Sequence, residues 1–480
     1  MEGALPTRED ASQSTTFWVV FVSIPSFGHV KPLMNFAQQF LSTDSNYKYR
    51  VTFVTSKRCS DFVRSKCMND EVEVVGLDDG ITPEYERFDL GQPEDSKLKL
   101  HATEWLRNQM YPCLQKYFAD LQTFPDMMIV DHLTFAGGLV ANEFNIPYIV
   151  HLSWPLFMLS AIGILPYPES TPLHKILWGR WNSFRRLVGS TGLLPQFLHP
   201  PGPPEVFFRN IRNAAKGHMI LCTSAFGVEP PRPLPPYVKL IGKGKPERYT
   251  GEGVTSELRA FLECFDNIIY VSFGSRIPPA EWQVKALAEG LAASGFPVVW
   301  ALKAQCQKYL PQPLPTNFIA YDWVPQMQVL AHPNVKVTVS HCGFGGFNEC
   351  LQNGKPILAV PFLLSADQPV NAETAQKGGY GITLNPKHFS AQEVKAAVTK
   401  LVSEESYHAA AKKAQHAVLS SGYGGEGIKA VEAAILHGTE HLFSTEENPA
   451  LKSVNTYIMA GSCMLGAAFL VMKYTQHKSR

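Results

Sequence analysis

The stretch VKVTVSHCGFGGFNECL, residues 335–351, constrains the fold of this chain more than any other. Its β-branched opening reads as a buried strand, the glycines at 343, 345 and 346 as a tight turn, and the residues from Phe347 onward as the start of a helix. A strand that passes through a glycine turn into a helix is the repeating unit of a doubly wound α/β sheet. Such a turn leaves the first N–H groups of the helix without intrahelical partners, and with the helix dipole they suit an anion such as a diphosphate.

The residues around this unit extend the pattern. Upstream, Asp322 opens a Trp323-Val324-Pro325-Gln326 turn. A planar indole at Trp323 can stack on a flat base, and Gln326 offers both a donor and an acceptor to a base or ribose edge. Glu349 suits a diol, and His341 stands at the strand end, aimed at the anion. Asp367 and Gln368 follow a second apolar strand, KPILAVPF, and between them accept from and donate to sugar hydroxyls. In order and spacing, these groups cover a base, a ribose, a diphosphate and a sugar.

The amino-terminal half supplies different chemistry. FWVVFVSI, residues 17–24, is a continuous apolar run of buried-strand type, and PSFGHVKPLMNFAQQF continues it through a turn into a helix. His29 therefore sits at the carboxyl edge of a parallel sheet, where open α/β sheets place ligands. An imidazole titrating near neutrality can take a proton from a hydroxyl. A carboxylate on its far nitrogen would orient it. Asp131, at the end of the strand in PDMMIVDHL, is the candidate, and Asp126, at the opening end, is the competitor. His132 is expected on the opposite face by strand alternation, in a structural role.

These motifs resemble those of the UDP-dependent glycosyltransferases, over about residues 17–436. The resemblance implies a GT-B type fold: two Rossmann-like doubly wound domains facing across a cleft. It implies that Trp323 stacks on uracil with Val324 beside it, that Gln326 and Glu349 hold the ribose, and that His341 contacts the diphosphate. It assigns Asp367 and Gln368 to the sugar. Within NIIYVSFGS, residues 267–275, it implies a second phosphate loop whose Ser275 touches the diphosphate. His29 becomes the general base and Asp131 its partner. The implied reaction is a direct displacement with inversion, requiring no metal and no cofactor beyond the UDP-sugar co-substrate. The chain has no Asp-x-Asp sequence, the metal-holding motif of the other main glycosyltransferase architecture.

Departures from the plant pattern are informative. The plant HCGWNS is HCGFGG here, so Phe344 presents its backbone to the sugar, and Gly345 and Gly346 replace two phosphate-facing polar side chains, which beside the shared Gly343 leaves the phosphates to backbone donors. PFLLSADQ carries two more residues before Asp367 than the common form. Gln368 points to UDP-glucose as donor, whereas Arg276, directly after the phosphate loop, is the residue that would meet the carboxylate of UDP-glucuronate.

Composition fits an enzyme of two domains: 480 residues, 45% of them hydrophobic, give ample core, and a net charge of +1 with no basic block argues against nucleic acid. Nine cysteines without a C-x-x-C pair read as free thiols. The expected division is a polar leader at 1–16, an acceptor-binding domain at 17–243 and a UDP-sugar-binding domain at 244–450, with the boundary in IGKGKPERYTGEG. The proline- and aromatic-rich region 146–236, with the segment 85–117, is expected to shape a lipophilic acceptor pocket. Residues 453–472 carry no charge over 20 positions, the length of a transmembrane helix, and a short basic end follows. With no signal-peptide core ahead of the first strand, the expectation is a carboxyl-terminal membrane anchor with the catalytic domains in the cytosol. Alternatives are a sterol or membrane-lipid glucosyltransferase, a glucuronosyltransferase, and a non-enzymatic, membrane-tethered sensor or scaffold that binds nucleotide sugar.

Overall fold

The computed structural model describes residues 15–42, 45–66, 71–81, 96–161, 164–165, 212, 215–242, 248–274, 278–362, 367–421 and 425–443; side chains of the helix Ser96–Ala119 are described from Trp105 onward. Several expectations fall outside these residues: the phosphate-loop Ser275, Arg276, most of the insertion before Asp367, most of the proline-rich region and the apolar tail 453–472. Among the described residues no helix is long and apolar enough to cross a membrane.

Two parallel sheets, counted among the described residues, organise the chain. The first has seven strands in the order β3-β2-β1-β4-β5-β6-β7. They are β1 Thr16–Val22, β2 Lys48–Ser56, β3 Val72–Leu77, β4 Met127–Asp131, β5 Tyr148–Leu152, β6 Ile220–Cys222 and β7 Val238–Leu240. The second has six, in the order β10-β9-β8-β11-β12-β13. These are β8 Ile268–Ser272, β9 Val298–Ala301, β10 Phe318–Tyr321, β11 Val335–Ser340, β12 Ile357–Ala359 and β13 Gly381–Thr383.

The apolar runs read from the sequence become central strands because both of their faces are covered. Trp18, Val20 and Val22 of β1 pack into one core cluster, and Val19 and Phe21 into the cluster on the opposite face. In β8, Ile268 and Tyr270 face one core, Ile269 and Val271 the other.

Both sheets reverse their winding direction at one place. β1 lies between β2 and β4, and β8 between β9 and β11. Chain leaving the carboxyl ends of these neighbouring strands departs in opposite directions and opens a crevice. The strand pairs β1/β4 and β8/β11 are therefore where side chains on separate turns can converge.

The chain returns to the first sheet at its described end. Ile428, Val431 and Ala434 of the helix Gly425–His437 are buried with Phe21, Phe36 and Phe40, and Glu432 of that helix accepts hydrogen bonds from Ser45 and Tyr49. This helix, within the 244–450 segment that the sequence division gives to the second domain, thus packs on the first.

Candidate functional site

At the first crevice, β1 runs into the helix Phe27–Ser42, whose first turn carries His29. Its Nδ1 lies 2.9 Å from Oδ1 of Asp131, the last residue of β4. Both residues are buried, at 4% and 1% exposure. An ionised carboxylate only accepts, so His29 carries its proton on Nδ1 and keeps a lone pair on Nε2. The other Asp131 oxygen accepts from Leu133 N at 3.1 Å and Thr134 Oγ1 at 3.2 Å. Thr134 Oγ1 in turn accepts from Ile24 N at 2.9 Å, which ties the two turns together. Burial pushes the Asp131 carboxyl up, but the neighbouring His29 and His132 and their hydrogen bonds outweigh it and hold the group well below the usual carboxylate range.

The reading of His132 needs correction. Its Nδ1 is 3.2 Å from Asp131 Oδ1 and its ring centre 5.1 Å from that of His29, so both residues stand on the same side. Alternation holds only inside a strand. β4 ends at Asp131, and the turn closed by Thr134 N on Asp131 O swings His132 back toward the crevice. Burial lowers the His132 pKa, which favours a neutral ring. Asp126, the alternative partner, instead accepts from Trp18 N at 2.7 Å, away from His29. The ligand atoms of His29, Asp131 and His132 lie within 4.8 Å of one another, close enough for a metal ion by distance alone.

At the second crevice the chain builds a cradle from backbone. Gly274 follows β8 with φ of +70°, and Gly343 follows β11 and caps the helix Phe344–Gln352. A Cβ added at Gly343 would lie 2.5 Å from His341 Nε2, and one at Gly274 would lie 2.9 Å from His341 Cε1. The imidazole is thus held between two glycines that have no room for a side chain. Cys342 takes φ of +60°, rare for a residue with a Cβ. Its N–H donates to Ser340 Oγ at 3.1 Å, and its carbonyl accepts from Asn371 Nδ2 at 2.9 Å. Gly345 faces open space.

Along the same edge, Trp323 leaves its indole 63% exposed while Val324 beside it is buried at 4%. Gln326 Nε2 donates to Glu349 Oε2 at 2.5 Å, and Tyr270 donates to Gln326 Oε1 at 2.9 Å, which fixes the amide orientation. Phe344 turns its ring inward, and its N–H donates to Asp367 Oδ2 at 2.5 Å. The backbone donor expected to meet a sugar is therefore engaged by the acidic member of the sugar pair. Gln368 is buried at 5%. Asn371, one turn beyond Asp367, helps to hold it, at 3.5 Å.

The two crevices face each other. Lys31, two residues after His29, places Nζ 2.6 Å from Glu349 Oε1. Sequence reasoning passed over Lys31, Tyr270 and Asn371. Asn371 had a signal in its four-residue spacing from Asp367 on a helix; Lys31 and Tyr270 had none, because their partners lie far along the chain.

A family model described as UDP-glucoronosyl and UDP-glucosyl transferase matches residues 206–420. The chain is 28% identical to a UDP-glycosyltransferase of Talaromyces amestolkiae over 344 residues, 62% of each chain. It is 24% identical to the UDP-glucuronosyltransferase 2A2 of Mus musculus over 318 residues, 59% of this chain and 55% of that one. The match thus spans about three fifths of the length of these curated relatives. A crystal structure of Medicago truncatula UGT71G1 complexed with UDP-glucose superimposes with a TM-score of 0.66 at 17% identity, covering 88% of this chain and 98% of that one. At that identity the likeness speaks for the fold, the two-sheet GT-B arrangement. The family match over 206–420, the relatives and the fold agree in what this chain is similar to: the UDP-glucuronosyl and UDP-glucosyl transferases.

Proposed function

We propose that the protein is an inverting glycosyltransferase that moves a sugar, glucose first among the candidates, from a UDP-sugar to a hydroxyl of a small lipophilic acceptor. The observation that carries this reading is the Lys31–Glu349 contact of 2.6 Å. It sets the turn bearing His29 directly against the helix that opens on the glycine cradle, so a base and an anion site share one cleft.

In this reading the second domain receives the donor. Trp323 stacks on uracil, Gln326 and Glu349 take the ribose hydroxyls, and His341 with the backbone around Gly343 to Gly346 meets the diphosphate. Asp367 and Gln368 turn to the sugar. His29 Nε2 takes the proton of the acceptor hydroxyl as its oxygen attacks the anomeric carbon. The bond from that carbon to the β-phosphate oxygen breaks, and UDP leaves with the electron pair. Asp131 keeps the imidazole in the productive tautomer and offsets the charge it acquires. Leaving-group charge falls on oriented N–H groups and the helix dipole, which act without reorganising.

The test is UDP release by the purified protein with a panel of UDP-sugars and mixed phenol, sterol and terpenoid acceptors, beside His29→Ala. Acceptor-dependent turnover that the substitution abolishes supports the assignment. Tight UDP-sugar binding with no turnover on any acceptor would move the reading to a sensor or scaffold.

A further inference from the structure

Glu349 is a carboxylate with side-chain exposure of only 9%, standing beside an anion cradle. Unneutralised, its charge would repel a diphosphate bound next to it. Within its own domain it receives the neutral amide of Gln326 on Oε2, whose orientation Tyr270 fixes. The cation comes from the other domain: Lys31, the fifth residue of the helix Phe27–Ser42, contacts Oε1 from a side chain that is 36% exposed.

Building on the UDP-sugar reading above, we propose that Lys31 is a donor-binding residue supplied by the first domain, cancelling the charge of Glu349 and drawing the diphosphate into the cleft. A carboxylate oxygen accepts along two directions, so an ammonium on Oε1 leaves Glu349 able to accept from a ribose hydroxyl. An ammonium carries three N–H donors and one unit of charge, which suits it to bridge a carboxylate and a phosphate. Lys31 thereby makes donor affinity depend on the closed arrangement of the two domains, because Glu349 and its cation belong to different sheets. The rival sense of the same contact is a plug, in which the ammonium competes with the ribose for Glu349. The two differ in the sign of the effect on binding.

The experiment is calorimetric titration of UDP and of uridine into the full chain, the Lys31→Met variant and the Lys31→Arg variant, at low and high salt. The proposal expects Lys31→Met to weaken UDP about tenfold, the scale of a charge-assisted hydrogen bond. Uridine, which lacks the diphosphate, should change less than about twofold on the same physical ground. Lys31→Arg should retain most of the UDP affinity, and the salt dependence of UDP binding should shrink in Lys31→Met. Unchanged UDP affinity in Lys31→Met, or tighter binding of either ligand, overturns the proposal. A wild-type chain that binds no UDP overturns the donor reading itself, and this proposal with it.

Discussion

The two crevices occupy equivalent places in their sheets and are built from opposite materials. At β1/β4 the chain buries titratable side chains: His29, Asp131 and His132 stand together almost without exposure. At β8/β11 it removes side chains, and glycines at 274 and 343 press on a single imidazole while the helix start lends its backbone. On the function proposed above, one topology serves proton chemistry in one half and anion binding in the other. The fold sets where a site forms, and the turn residues after each strand set what the site does.

The largest expected effect breaks the first crevice alone. His29→Ala removes the group assigned as general base, and turnover should fall about a thousandfold, within the usual range for such a base. Initial rates with saturating UDP-sugar check it, and a loss under tenfold would move the base elsewhere.

A smaller effect separates the glycines of the second crevice. Gly343→Ala drives a Cβ against His341 Nε2, a clash of the kind that costs about 1–3 kcal/mol, so UDP affinity should drop roughly tenfold to a hundredfold. Gly345→Ala meets open space and should stay within about threefold of wild type on the same reasoning. Equal losses in both variants would contradict a cradle shaped around the imidazole.

The smallest effect concerns stability. His151 on β5 is fully buried against Phe36, neither of its ring nitrogens has a hydrogen-bond partner among the described residues, and burial pushes its pKa down to about 3. The folded state binds this proton more weakly than the unfolded chain does. The neutral ring's contribution is therefore fully present above about pH 6.5 and declines as the pH falls toward 3, by up to about 1.4 kcal/mol per unit. His151→Leu should flatten the acid side of the stability–pH curve in chemical denaturation between pH 6.5 and 4, a window set by that lowered pKa. An unchanged slope would show that other groups control it.

How much of this could be read from the sequence follows from the range of the interactions. The strand–glycine–helix units were legible because period, β-branching and glycine act over a few residues. The His29–Asp131 pair spans 102 positions, and residue chemistry alone left Asp126 as a competitor; the family resemblance decided between them. His132 was misread because strand alternation was carried one residue past the end of β4. The Lys31–Glu349 contact spans 318 positions and joins two domains, and no local rule reaches that far.

The division of labour between the crevices is tested most directly by calorimetric titration of UDP into wild type, His29→Ala and Gly343→Ala. The account predicts that His29→Ala binds UDP as wild type does although its turnover is lost, and that Gly343→Ala binds UDP more weakly. A His29→Ala variant that loses UDP affinity as far as Gly343→Ala does would contradict it, because one site would then be doing both jobs.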